Sequence, residues 1–76
     1  MEKVYIVVED NVQEGIEVFI YRSEEQARGV FTEIVEHYKS VFKELGDGEI
    51  NKYFAHITDK WNDEVARVFW QENIIN

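Results

Sequence analysis

One helical periodicity runs through residues 23–45, and this segment constrains the fold of the chain most. Ser23 followed by Gln26 fits a capping box, in which each side chain accepts from a backbone N–H at the start of a helix. Apolar residues then recur with the spacing of one buried stripe, at positions 27, 30, 31, 34, 35, 38, 41, 42 and 45. The pattern predicts a long amphipathic helix over about residues 23–45, ending before Gly46.

Shorter runs of β-branched and aromatic residues flank the helix, two on each side. Residues 3–8 and 16–21 indicate strands, and the short polar connection between them favours an antiparallel hairpin. Residues 50–58 and 65–71 indicate a second pair. The region 64–72 also fits helical spacing, so strand and helix both remain open there, although its Val, Phe and Trp content favours a strand.

The order of these elements is ββαββ, and 76 residues are enough for one domain, spanning 1–76. We therefore predict an α+β fold: a two-layer sandwich of one antiparallel four-stranded sheet with the helix on one face. The first eight residues lack a basic start and a cleavage site, and they are too short to span a bilayer, so we expect a cytoplasmic protein.

The chain carries 16 acids against 8 bases, a formal charge of −8. This charge argues against direct binding to nucleic acid or to anionic membranes, which attract clustered Lys and Arg. It is compatible with a basic protein partner, because opposite fields speed encounter, and it also serves solubility alone. Two acidic groups stand out in the predicted loops and are candidates for steering a partner: Glu9, Asp10, Glu14 and Glu17, then Asp59, Asp63 and Glu64.

Both faces of the predicted sheet are apolar, although one face of such a sheet is normally polar. If the aliphatic set of the first hairpin meets the helix, the aromatic set forms an exposed surface, which is typical of an interaction site. Three alternatives remain for this surface. A curled sheet or the C-terminal tail covers it, a second copy of the chain binds it in a homodimer, or a different protein partner binds it. Its candidate interface residues are Tyr5, Phe19, Tyr21, Phe54, His56 and Phe69.

The sequence shows no pattern typical of an enzyme. The chain has no Cys, its two histidines lack metal-ligand spacing, and its four glycines do not form a phosphate-binding loop. We therefore predict neither a catalytic site nor a metal or other cofactor.

The chain resembles a pattern found in short orphan α+β proteins of phages, mobile elements and bacteria. The matching parts are the opening run from Val4 to Val8, the hairpin into Val18 and Phe19, the helix start at 23–27 and the final aromatic hairpin. The resemblance is architectural and covers most of the chain. It implies proteins that bind and block or adjust a host protein, including inhibitors of host defence.

These observations predict a non-enzymatic protein-binding module, such as an acidic inhibitor that mimics nucleic acid on a host protein. The alternative is a homo-oligomeric structural or small-ligand-binding protein that dimerises through the aromatic sheet face. The first interpretation implies a complex with a basic protein partner. The alternative implies a homodimer.

Overall fold

The helix predicted from the capping box is present but shorter than expected. In the computed structural model, which describes residues 2–75, α1 spans Glu24–Val41. Ser23 is the N-cap, and its Oγ accepts a hydrogen bond of 3.3 Å from the backbone N–H of Gln26. The predicted hydrogen bond from the backbone N–H of Gln26 to the Ser23 side chain is therefore confirmed.

The predicted helix end at residue 45 is wrong. Phe42 has an extended backbone and caps α1 at its C-terminus, where its N–H donates to the carbonyl of Tyr38. Phe42 and Leu45 then pack against the core. Both side chains contact the core from the extended connection that follows α1, and the helix ends five residues before Gly46, so this glycine does not act as a helix terminator.

The four strands form one antiparallel sheet in the order β2-β1-β4-β3. The predicted ββαββ order and the α+β class are confirmed, and the uncertain region near the C-terminus is a strand. The predicted domain span also includes Met1 and Asn76, which lie outside the described residues. The strands are β1 (Glu2–Asn11), β2 (Gly15–Tyr21), β3 (Phe54–Thr58) and β4 (Glu64–Ile75).

The core lies between α1 and one face of the sheet, as expected for a half-buried sheet. On this face the central strands contribute buried side chains, including Val7 from β1 and Val68 from β4. Facing them, α1 buries the stripe Ala27, Phe31, Val35 and Tyr38.

The assignment of the two faces of the first hairpin made from the sequence is wrong, whereas Phe54, His56 and Phe69 lie on the side away from α1 as predicted. Tyr5, Phe19 and Tyr21 pack against the helix-side core. Their neighbours in the alternation, including Val18 and Ile20, therefore point away from α1. The register accounts for this arrangement: Val7 lies opposite the buried Trp70 of β4, so Tyr5, two residues away on β1, lies on the same face.

The free edge of β3 is covered by the connection 46–51. The N–H of Gly46 donates to the carbonyl of Thr58, and the N–H of His56 donates to the carbonyl of Glu49. Gly48 lies so close that a Cβ there would overlap the His56 carbonyl. Among residues 2–75, no helix is long and apolar enough to cross a membrane.

Candidate functional site

The two acidic loops of the sequence meet at one end of the sheet. Strands β1 and β4 are antiparallel neighbours, so the end of β1 lies beside the start of β4. The Val12 N–H donates to the Val65 carbonyl at 3.1 Å and extends this pairing into the first hairpin loop. The C-terminal end of α1 forms the third wall.

A groove of about 470 Å³ opens between these three segments, and we call it the acidic groove. Among the described residues that line it, none is Lys or Arg, although Arg67, which lies outside the lining, forms an ion pair of 2.7 Å with Glu64. Val12 and Val41 expose more than half of their surface in it, so its carboxylates stand beside apolar walls. The lining residues used below are Glu9, Glu14, Asp59, Asp63, Glu64, Val12, Val41, His37 and Tyr38.

Five of the seven predicted steering acids line the acidic groove, three from the second hairpin and two from the first. The other two lie elsewhere. Asp10 alternates with Glu9 and therefore points to the opposite face of the sheet. Glu17 lies directly across the β1–β2 pair from Glu9 but outside the groove.

Tyr38 connects the helix to the inner wall of the groove. Its hydroxyl donates a 2.5 Å hydrogen bond to Oε2 of Glu9 and accepts one of 3.0 Å from Nδ2 of Asn11. Burial and the hydrogen bond to Glu9 raise the pKa of Tyr38 to about 12. At neutral pH this phenol therefore stays protonated and fixes the Glu9 carboxylate in place.

Side-chain caps hold both loops in one shape. Oδ1 of Asn11 accepts from the backbone N–H groups of Gln13 and Glu14, each at 2.9 Å. In the second loop, Oδ1 of Asp59 accepts from Trp61 N at 2.9 Å and from Asp63 N at 3.0 Å. These are the self-bonded turns that Asn and Asp favour. They fix the backbone that carries the acids of both loops.

The groove does not have the donor arrangement of a metal site. Among residues 2–75, no group of three or more His, Asp or Glu side chains is placed to hold a metal ion. His37 is exposed at the rim and makes an edge-on contact with the Tyr38 ring, with centroids 6.0 Å apart.

The predicted aromatic interface is divided between the two sheet faces. Tyr5, Phe19 and Tyr21 belong to the helix side. Phe54 and Phe69 are opposite each other on the other side and are half-buried there. His56 shares that side, and its Nε2 is enclosed without a hydrogen-bond partner among residues 2–75. No continuous aromatic surface results.

We call the side of the sheet away from α1 the open face, and its β1–β2 half is aliphatic. Ile16, Val18 and Ile20 on the edge strand β2 are 66%, 55% and 65% exposed. Ile6 and Val8 lie opposite Ile20 and Val18 and are more enclosed, because β1 has strands on both sides.

Sequence reasoning missed the groove residues that are not acidic. Tyr38 was assigned only to the buried stripe, although a buried tyrosine hydroxyl requires a hydrogen-bond partner and this requirement was a usable signal. Val41 was placed on the buried stripe, but it is 58% exposed, and Val12 gave no signal. Comparison with models of known protein families, with curated proteins and with solved structures finds no match for this chain.

Proposed function

We propose that this chain is a non-enzymatic protein-binding module whose acidic groove takes up a basic segment of a partner protein. The observation that carries the proposal is the meeting of Glu9, Glu14, Asp59, Asp63 and Glu64 in one groove that no Lys or Arg among the described residues lines.

The chemistry of the groove favours Lys or Arg side chains over a free cation. Their long aliphatic stems fit apolar walls such as Val12 and Val41, while their charged ends reach carboxylates. Arg in addition binds carboxylates through two parallel hydrogen bonds. The preformed loops reduce the entropy lost on binding. The net charge of −8 extends the attraction beyond contact distance.

A partner that uses the same basic surface to hold nucleic acid would be blocked by this module. The acids would then replace phosphates at the basic surface, which is the mode of an acidic nucleic-acid mimic. Tyr38 supports the binding role by holding the Glu9 carboxylate at the inner wall of the groove through its hydrogen bond.

The test uses a labelled peptide of alternating Arg and Leu residues, with binding followed by fluorescence anisotropy and by NMR shift mapping. The double variant Glu14→Gln/Asp63→Asn removes two groove charges. We expect its dissociation constant to rise roughly tenfold, since two exposed charge pairs contribute about 0.7 kcal/mol each.

The matched control is Glu33→Gln/Glu49→Gln, which removes two exposed acids that do not line the groove. We expect the control to bind almost as tightly as the unmodified chain. Equal loss in both variants, or peptide-induced shifts spread evenly over the surface, would show attraction to net charge alone and contradict the proposal.

A further inference from the structure

The open face exposes a continuous aliphatic surface beyond what scattered surface residues provide. The three exposed side chains of β2 are Ile16, Val18 and Ile20. Ile6 and Val8 continue the surface onto β1. Contiguous apolar surface of this kind is typical of a site that another molecule covers.

The charges on this face cancel, in contrast to the rest of the chain. Asp10 lies opposite Arg67 in the β1–β4 register, and Arg67 also forms an ion pair of 2.7 Å with Glu64 at the start of β4. Glu2 forms an ion pair of 3.8 Å with Arg22 just beyond β2. The excess negative charge of the chain therefore lies on the helix layer and in the loops. A basic partner gains little from a neutral surface, whereas a second acidic chain can approach it without like charges meeting.

The dimensions of the face suit a stable pair. The molecule measures 44 × 20 × 17 Å along its principal axes, and its longest strand, β4, has 12 residues. From strand spacing and residue rise, the sheet covers roughly 500 Å² in projection. A standard interface takes about 800 Å² of accessible surface from each partner, so the sheet face is of the same order.

We propose that two copies of this chain pair through their open faces about a twofold axis, giving an α-β-β-α sandwich. The two sheets would lie about 10 Å apart, with their aliphatic side chains interdigitated. The acidic groove opens beside α1, on the other side of the sheet, and stays accessible. The dimer would thus present two grooves and bind a partner with two basic segments more tightly than one copy does.

Sedimentation velocity combined with light scattering tests the pairing. We expect a mass of twice 9.1 kDa for the unmodified chain. The double variant Val18→Lys/Ile20→Lys places charges on the open face and should give a folded monomer. The matched control Val12→Lys/Ile74→Lys adds the same charges at exposed apolar positions off this face and should stay dimeric. Circular dichroism confirms that each variant is folded.

Cross-linking distinguishes face pairing from pairing along the β2 edge. The chain has no cysteine, so Ile6→Cys, Val8→Cys and Gln71→Cys, made singly, each give one thiol on a central strand of the open face. We expect a short bis-maleimide to link at least one of them into a dimer and to leave Ile74→Cys unlinked. In edge pairing the two β1 strands would be about 14 Å apart, three strand spacings, and none would link.

Two results would overturn the proposal. The first is an unmodified chain that remains monomeric at its highest soluble concentration, which would assign the open face to another partner or to solvent. The second is a dimer that none of the three central thiols links. Groove variants separate this proposal from the proposed function, because Glu14→Gln/Asp63→Asn should leave the mass unchanged.

Discussion

The Tyr38 hydroxyl donates to the Glu9 carboxylate across the boundary between α1 and the sheet, at 2.5 Å. Hydrogen bonds from a hydroxyl to a carboxylate are this short when the acceptor carries charge. The contact joins the buried stripe of the helix to the inner wall of the acidic groove. Loss of the hydroxyl should therefore affect both stability and the groove.

Tyr38→Phe should lower the free energy of unfolding by about 1–2 kcal/mol, because it removes a hydrogen bond to a charged group and leaves Glu9 without its donor. Urea denaturation at neutral pH measures the loss. Tyr53→Phe, at an exposed tyrosine, serves as the control and should change stability very little. Equal stability of the two variants would contradict this role of Tyr38.

The same pair gives a pH dependence. The pKa of Tyr38 is raised in the folded chain to about 12, from 10.0 when unfolded. Its contribution to stability is therefore complete below pH 10 and is lost as the pH rises towards 12. We expect the stability difference between the unmodified chain and Tyr38→Phe to narrow over this range. A difference that stays constant up to pH 12 would show that the phenol is not held protonated.

Phe19 and Ile20 are neighbours in β2 on opposite faces of the sheet. Phe19→Ala should cost about 2 kcal/mol, because its half-buried ring packs against the core. Ile20→Ala should cost less than about 0.5 kcal/mol in dilute protein, since its side chain is mostly exposed. Thermal melts of the two variants side by side measure this. The reverse order would restore the face assignment made from the sequence.

Gly48 and Gly29 form a second matched pair. Gly48→Ala should destabilise the chain by more than about 1 kcal/mol, because the new methyl group meets the backbone carbonyl of His56, which cannot move freely. Gly29→Ala should stabilise it by up to about 1 kcal/mol, since Gly29 lies in a helix with open space around it. Chemical denaturation gives both changes in the free energy of unfolding. A Gly48→Ala variant as stable as the unmodified chain would contradict the close approach of Gly48 to the His56 carbonyl.

Binding of the Arg–Leu peptide to the acidic groove should depend strongly on salt. The range of the electrostatic field falls from about 30 Å at 0.01 M salt to about 8 Å at 0.15 M. We expect the association rate constant to fall at least tenfold over this range, with a smaller change in the dissociation rate. Stopped-flow fluorescence measures both rates. A salt-independent association rate would exclude steering by the groove.

The sequence was sufficient to predict the elements of the fold, because each depends on local patterns. The capping residue Ser23 and the stripe of α1 specify the helix, and β-branched runs specify the strands. The helix end was missed because residues 42 and 45 keep the helical spacing of the stripe, although Phe42 is already extended and both side chains pack against the core from the connection that follows α1.

The face assignment needed the strand register, which local patterns do not contain. In β4 the alternation is informative: Ala66, Val68 and Trp70 share one face, whereas the other face carries Arg67 and Gln71. That strand alone indicates which side meets α1. Only the pairing of Val7 with Trp70 transfers this information to β1 and places Tyr5 on the helix side.

For the candidate groove, the sequence predicted the acidic residues but not that they share one groove, because this again depends on strand pairing. The acids were recognised as two groups, because they cluster in the sequence. That the groups share one end of the sheet follows from β1 and β4 being neighbours, which the element order alone leaves undecided.

The two margins of the sheet differ in their capacity to recruit more chain. The β3 margin is occupied by the connection 46–51, whereas β2 has no strand beside its outer margin among residues 2–75. If two copies joined through β2, both ends of the enlarged sheet would be β3 margins that are already hydrogen-bonded. Strand pairing along this edge would therefore stop at two copies, because neither end of the enlarged sheet would offer a free margin.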